Sequence, residues 1–268
     1  MCRGYDTLIY EAGAVPGLFV MAKKRQKQVG FIGWPAEEAF ESFRGARLID
    51  LDNAYPNVPP AGADVLPQNT CAIVKRIVAN GLAMELDAII LDDGPGKCDM
   101  ARMAAYILEK RANAPVIRAA NSNTIGKGTP ICDSTLPPGE KARRILDGLV
   151  ENVKTDDLIF EPHPPAAIWG VPAADLTLYD LFPAGTRLLG WFRCLENRTP
   201  ALEKLEHEVT TGVPTVFFAQ TFCHKNIMAR HLATFHDGLY VDADGVIGSS
   251  VRAKVEAFLK FNVKDKGR

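Results

Sequence analysis

The chain has 268 residues, enough for one large α/β domain or for two smaller ones, each with its own core. With 31 Lys and Arg against 32 Asp and Glu the formal charge is -1, which excludes a global field that would recruit nucleic acid or an anionic membrane. No apolar run reaches the ~18 residues of a membrane span, and residues 1–22 lack the charged start and cleavage site of a signal peptide. The expectation is therefore a cytoplasmic protein with a small-molecule substrate, no nucleic-acid partner and no membrane partner; assembly as a homodimer stays open.

The basic run Lys23-Lys24-Arg25-Gln26-Lys27 reads as a solvated turn. After it, Gln28-Val29-Gly30-Phe31-Ile32-Gly33 has the character of a first core strand, and residues 35–43 follow as a short helix with Pro35 in its first turn. Residues 46–52 make a second strand that ends in the acids Asp50 and Asp52. Four prolines and no periodicity make residues 53–67 a loop. Asn69 then caps a helix whose Ile73, Ile77 and Val78 share one face.

Ala88-Ile89-Ile90-Leu91 is apolar without alternation, as a parallel strand covered on both faces should be. It stops abruptly at Asp92, Asp93 and Gly94. Helical spacing returns over residues 99–111, and residues 115–119 resume the sheet. Residues 120–139 are polar and rich in Gly and Pro, the pattern of a linker or active-site loop. A helix over residues 140–153 leads to a strand at 158–161 and a loop from 161 to 172. Three strand–helix pairs complete the chain: 187–192 with 201–209, 214–219 with 225–234, and 238–241 with 249–261. No internal repeat is evident. The alternation predicts an α/β protein with a Rossmann-like, doubly wound, mostly parallel sheet, with room for a second, smaller α/β lobe. The expected division is a nucleoside-binding half over 1–120, the linker or loop over 121–139 and a second half over 140–268.

In such sheets ligands bind beyond the carboxyl ends of the strands, which defines the candidate site. Gly30, Gly33 and Trp34 occupy the place of a phosphate turn, but GxGxxG spacing is absent and Trp34 and Pro35 would crowd a pyrophosphate. That favours S-adenosyl-L-methionine over NAD(P); the alternative is glycines that only permit a tight turn. Asp50 and Asp52 lie where ribose hydroxyls are commonly held, or simply cap the turn. Asp92 offers a further ligand contact and Asp93 a catalytic carboxylate; as neighbours they should point in opposite directions, which argues against a shared ion. Asn121 and Asn123, in a glycine-bearing stretch with Lys127, could read a polar ligand or form a surface turn.

A general base, such as His224 close to Thr221, is a better use of one histidine than a metal ligand, because imidazole titrates near neutrality; a purely structural histidine is the alternative. HxxxH spacing is missing, so no metal site is expected. The six cysteines, at 2, 71, 98, 132, 194 and 223, include no CxxC pair. Reduced core thiols are the simpler reading, and an iron–sulfur cluster assembled from distant loops is the alternative.

The stretches TVFFAQTFCHKNIMARHL and SSVRAKVEAFLKF, with QVGFIGWPAEEAF and RLIDLD, resemble the methanogen pyridinol C-methyltransferase family. Its members methylate the guanylylpyridinol precursor of the [Fe]-hydrogenase cofactor, using S-adenosylmethionine on a Rossmann-like fold. The resemblance implies an adenosyl group near Gly33 and Asp50 and a methyl acceptor near Thr221 and His224. The expected function is a small-molecule methyltransferase; the alternatives are an NAD(P)-dependent oxidoreductase with an atypical phosphate turn and a non-catalytic binding or assembly protein.

Overall fold

A computed structural model of the chain describes residues 25–59, 61, 64–121, 130–148, 156–199 and 203–263. It is an α/β protein whose described residues include two four-stranded, all-parallel sheets flanked by helices. The first sheet contains β1 (Gln28–Ile32), β2 (Arg47–Asp50), β3 (Ala88–Asp92) and β4 (Val116–Ala119), in the order β2-β1-β3-β4. The second contains β5 (Ala167–Gly170), β6 (Arg187–Gly190), β7 (Thr215–Gln220) and β8 (Leu239–Ala243), in the order β6-β5-β7-β8.

Each sheet is built around a strand with no exposed face. β3 and β7 are buried at every position, because helices cover both sides. In the first half, α1 (Ala72–Ala83) and α2 (Asp99–Arg111) pack Ile77, Val78, Ala104 and Leu108 against Ile32, Ile89 and Leu91. In the second half, α3 (Pro138–Asp147), α4 (Trp191–Glu196) and α7 (Ser249–Asn262) share one apolar cluster with β5 to β8. The other face of that sheet is closed by α6 (Lys225–Phe235); α5 (Glu203–Glu206) precedes β7.

Several expected elements differ. Residues 158–161 do not form a strand: Ile159 and Phe160 are exposed, and Phe160 makes only an isolated bridge to Ser134. The strand that opens the second sheet is β5, inside the expected loop at 161–172. After Pro35 the short helix is 3-10, Glu37–Phe43. β6 ends at Gly190, where α4 begins, and α5 covers only part of the expected 201–209 helix. Within 120–139, α3 already starts at Pro138 and residues 122–129 lie outside the described set, as does the end of the expected 140–153 helix.

The two halves also repeat one another, contrary to the expectation of no repeat. β1 leads into Gly33-Trp34-Pro35-Ala36, a 3-10 helix and the strand opening Arg47-Leu48. β5 leads into Gly170-Val171-Pro172-Ala173, a 3-10 helix (Leu176–Leu181) and the strand opening Arg187-Leu188. Both positions favour glycine, Gly170 the more strictly because backbone rather than side chain closes on it. Gly33 has φ +72° and Lys97 Nζ lies 2.0 Å from where a Cβ would be; Gly170 has φ +156° and the Phe218 carbonyl oxygen closes the same space at 2.0 Å.

Candidate functional site

The order 2-1-3-4 places a topological switch point between β1 and β3 in one half and between β5 and β7 in the other. Both open into one cleft. Ile32 pairs with Leu91 and Gly170 with Phe218, so if Gly33 corresponds to Gly170, then Asp92 corresponds to Phe218 and, six residues on, Cys98 to His224. These equivalent positions touch: Cys98 Sγ lies 3.9 Å from His224 Nδ1. The starts of the helices that follow β3 and β7 therefore meet in the cleft.

Three cysteines converge on this place. Cys71 is the N-cap of α1 and Cys98 the N-cap of α2, while Cys223 immediately precedes His224, the N-cap of α6. Cys223 belongs to the second half but packs on the core cluster of the first, which includes Cys71. Each of the Cys71–Cys98, Cys71–Cys223 and Cys98–Cys223 pairs is close enough for ionised thiols to repel. All three are free thiols.

Burial pushes the Cys71 thiol above its usual value and Cys223 up to about 11. The first-turn amides of Ile73 and Val74 work against that shift at Cys71, and that of Lys225 at Cys223. Neither Cys71 nor Cys98 completes a side-chain cap hydrogen bond, so these helix starts present amides toward sulfur without saturating it. At the same loop Phe222 is exposed and has φ +64°, a strained conformation for an aromatic residue.

Beside the thiols is a cavity of about 290 Å³ between the halves. Its first wall is formed by Asp50, Asp52, Tyr55, Ile73 and Arg76; Arg143, Pro172, Ala173 and Trp191 contribute to the second. Asp50 is buried, and its Oδ1 accepts the Asp52 amide at 2.9 Å. Burial, and then the Asp52 charge, raise the Asp50 carboxyl to about 8; Asp52 is raised as well, mainly by burial. Arg76 donates Nε to the Asp52 carbonyl at 3.0 Å and also feels the Cys71 charge, which links cavity and thiols.

The sequence-derived residues divide sharply. Asp50 and Asp52 line the cavity. Asp92 is buried at the end of β3, where it accepts the amides of Trp34 at 3.2 Å and Gly94 at 3.0 Å and lies 3.9 Å from Lys97 Nζ. Asp93 points the other way, into ion pairs with Arg102 at 2.8 Å and Arg118 at 3.0 Å, which hold its carboxyl below the usual range. It does not join the cleft site.

Gly30 lies within β1, where the Leu51 and Leu86 side chains would crowd an added Cβ at 3.0 Å, so its role is packing. Gly33 and Trp34 do form the turn after β1. The Trp34 ring lies under the Arg198 guanidinium at 5.7 Å, and its buried Nε1 has no partner. Asn121 donates to the Pro95 carbonyl and fills the space over Gly94; Asn123 falls outside the described residues. Thr221 pairs its amide with Ala243 beside β8, one side of the loop that carries Cys223 and His224. Burial, and then Lys225, lower the His224 pKa.

Sequence reasoning missed Cys71, Cys98, Tyr55, Arg76 and Trp191. A signal for two of them was present: Cys71 and Cys98 stand where a helix start would normally show Ser, Thr, Asp or Asn. Among the described residues no three His, Cys, Asp or Glu side chains are placed to hold a metal ion. No protein-family model matches the chain, and no curated protein matches it. Among the described residues no helix is long and apolar enough to cross a membrane.

Proposed function

We propose that the chain is an iron–sulfur redox enzyme, with a cluster held by Cys71, Cys98 and Cys223 and a small substrate in the adjoining cavity. The observation that carries this reading is the convergence of three free cysteines at three helix starts drawn from both halves. A single tetrahedral ion, with metal–sulfur bonds of about 2.3 Å, needs its thiolates within ~4 Å of one another, and among the described residues no three His, Cys, Asp or Glu are grouped to hold a metal ion. A polynuclear cluster is larger and takes more widely spaced thiolates.

The local chemistry suits such a group. Unliganded, the buried Cys71 and the half-buried Cys223 are held toward the neutral thiol; coordination would release their protons, and the helix-start amides would then stabilise the thiolate charge. Cys71, Cys98 and Cys223 would hold such a cluster by three thiolates and leave room for a non-cysteine ligand or the substrate. A bound cluster would supply single electrons, while Asp50, Asp52 and Arg76 would orient the substrate and handle protons. Anaerobic incubation with iron and sulfide tests the reading: a brown protein with broad visible absorption that bleaches on reduction supports it, and a protein that stays colourless and iron-free removes it.

A second reading rests on Asp50 alone. Its place at the end of β2, on the cavity wall, also suits a carboxyl that holds ribose hydroxyls. On that reading the nucleoside belongs to S-adenosyl-L-methionine, as in a methyltransferase, or to NAD(P). Calorimetric titration with S-adenosylmethionine, S-adenosylhomocysteine, NAD and NADP separates these; no heat with any of them would remove the nucleoside.

A further inference from the structure

The cavity presents unpaired groups of opposite charge on its two walls. On the first wall Asp50 is 4% exposed, and among the described residues neither Asp50 nor Asp52 has an ion-pair partner. Asp52 Oδ1 is sealed from water and accepts no hydrogen bond. The nearby cations are turned to other acceptors, Arg76 Nε to the Asp52 carbonyl and Lys97 Nζ to Asp92. On the second wall Arg143 projects from α3, also without an ion pair among the described residues, although Asp147 lines the same wall one turn on. Its neighbour Arg144, by contrast, is paired with Glu140 at 2.7 Å.

A buried carboxyl beside a second one with a sealed oxygen, neither with a cation, is costly unless one is protonated or a ligand completes them. A protonated amine brings three donors and a positive charge to that place. Tyr55, on the same wall, adds an aromatic ring, which attracts organic cations. A volume of about 290 Å³ is at the small end of ligand pockets and suits a compact molecule.

We infer that the cavity binds a small zwitterion of the amino-acid type, its ammonium held between Asp50 and Asp52 and its carboxylate at Arg143. This goes beyond the redox reading and stands whether or not iron binds at the thiols. The elevated Asp50 carboxyl agrees with it, since a proton occupies the place of the missing cation.

Ligand-observed NMR and calorimetry on the full chain test the inference, with glycine, 4-aminobutyrate, 6-aminohexanoate, n-butylamine, butyrate and adenosine as probes. At least one zwitterion should bind with Kd below about 1 mM, n-butylamine about tenfold more weakly, and butyrate and adenosine not at all. Asp50→Asn and Asp52→Asn should each weaken the zwitterion about tenfold or more. Arg143→Gln, at an exposed position, should weaken the zwitterion but leave n-butylamine unchanged. Thermal melts establish that each variant is folded, and iron content is measured on the same preparations, so loss of a cluster and loss of the ligand are read separately. The inference is overturned if no zwitterion binds at about 10 mM, if butyrate or adenosine binds better than every zwitterion, or if the folded variants bind as the wild type does.

Discussion

Cys98 Sγ and His224 Nδ1, 3.9 Å apart, occupy equivalent positions in the two halves of the chain, each at the start of the helix that follows the third strand of its sheet. Their contact brings two switch points into one cleft. With Cys71 and Cys223 alongside, it makes the cleft a place where thiols from distant parts of the sequence meet.

The thiols of the metal-free protein should be sluggish nucleophiles. Cys223 is held up to about 11 by burial, so at pH 7 its thiolate fraction is smaller than that of a free cysteine, with a pKa of about 8.5, by roughly two orders of magnitude. Alkylation by iodoacetamide, followed by peptide mass spectrometry, should be slow at Cys223 at pH 7 and accelerate steadily toward pH 11. A plateau reached near pH 8 would contradict the burial of this thiol.

Asp50 should make stability fall with pH. Its carboxyl rises from 3.8 to about 8 on folding, so between those values the folded state holds a proton that the unfolded state has released. The contribution is complete below about 4 and is lost as pH rises through about 8. Asp52 from the same turn, with Lys97 and Arg76 from the neighbouring elements, are the charges that face it. Asp50→Asn should therefore be neutral near pH 4 and stabilising by about 1–3 kcal/mol near pH 8, as read by urea melts across pH. A variant destabilised equally at both pH values would contradict a buried, protonated Asp50.

Gly33→Ala should be more damaging than Gly45→Ala. Both glycines have positive φ, +72° and +80°, so both substitutions carry backbone strain of about 1 kcal/mol. Only Gly33 also has Lys97 Nζ at 2.0 Å and Asp92 Oδ2 at 2.9 Å from the added methyl, whereas nothing lies within 4 Å at Gly45. The midpoint should drop further for Gly33→Ala, by the equivalent of about 1–2 kcal/mol. Equal drops would mean that Lys97 does not press on the turn.

The first sheet was legible because its strands announce themselves: Ala88 to Leu91 is an uninterrupted apolar run, and it is buried throughout. The second sheet was misread at its start. Ala167–Gly170 is only four residues between prolines and looks like loop, while the apolar Leu158-Ile159-Phe160 looked like a strand although Ile159 and Phe160 are 68% and 52% exposed. Periodicity cannot separate a short buried strand from a short apolar loop. Asp50 and Asp52 could be found from position alone, since acids at a strand end fall at the ligand edge. The meeting of the cysteines could not be found that way: Cys71 and Cys98 come together at the helix starts of the first sheet, and only the packing of the second half on the first brings Cys223 to them.

Iron and acid-labile sulfide, counted after anaerobic reconstitution, test the central claim most directly when wild type is compared with serine variants of each cysteine. The account predicts about four iron per wild-type chain, most of it lost in Cys71→Ser, Cys98→Ser and Cys223→Ser and retained in Cys132→Ser and Cys194→Ser, whose cysteines are buried in the second half. Wild-type protein that takes up no iron, or iron that survives loss of all three cleft cysteines, would contradict it.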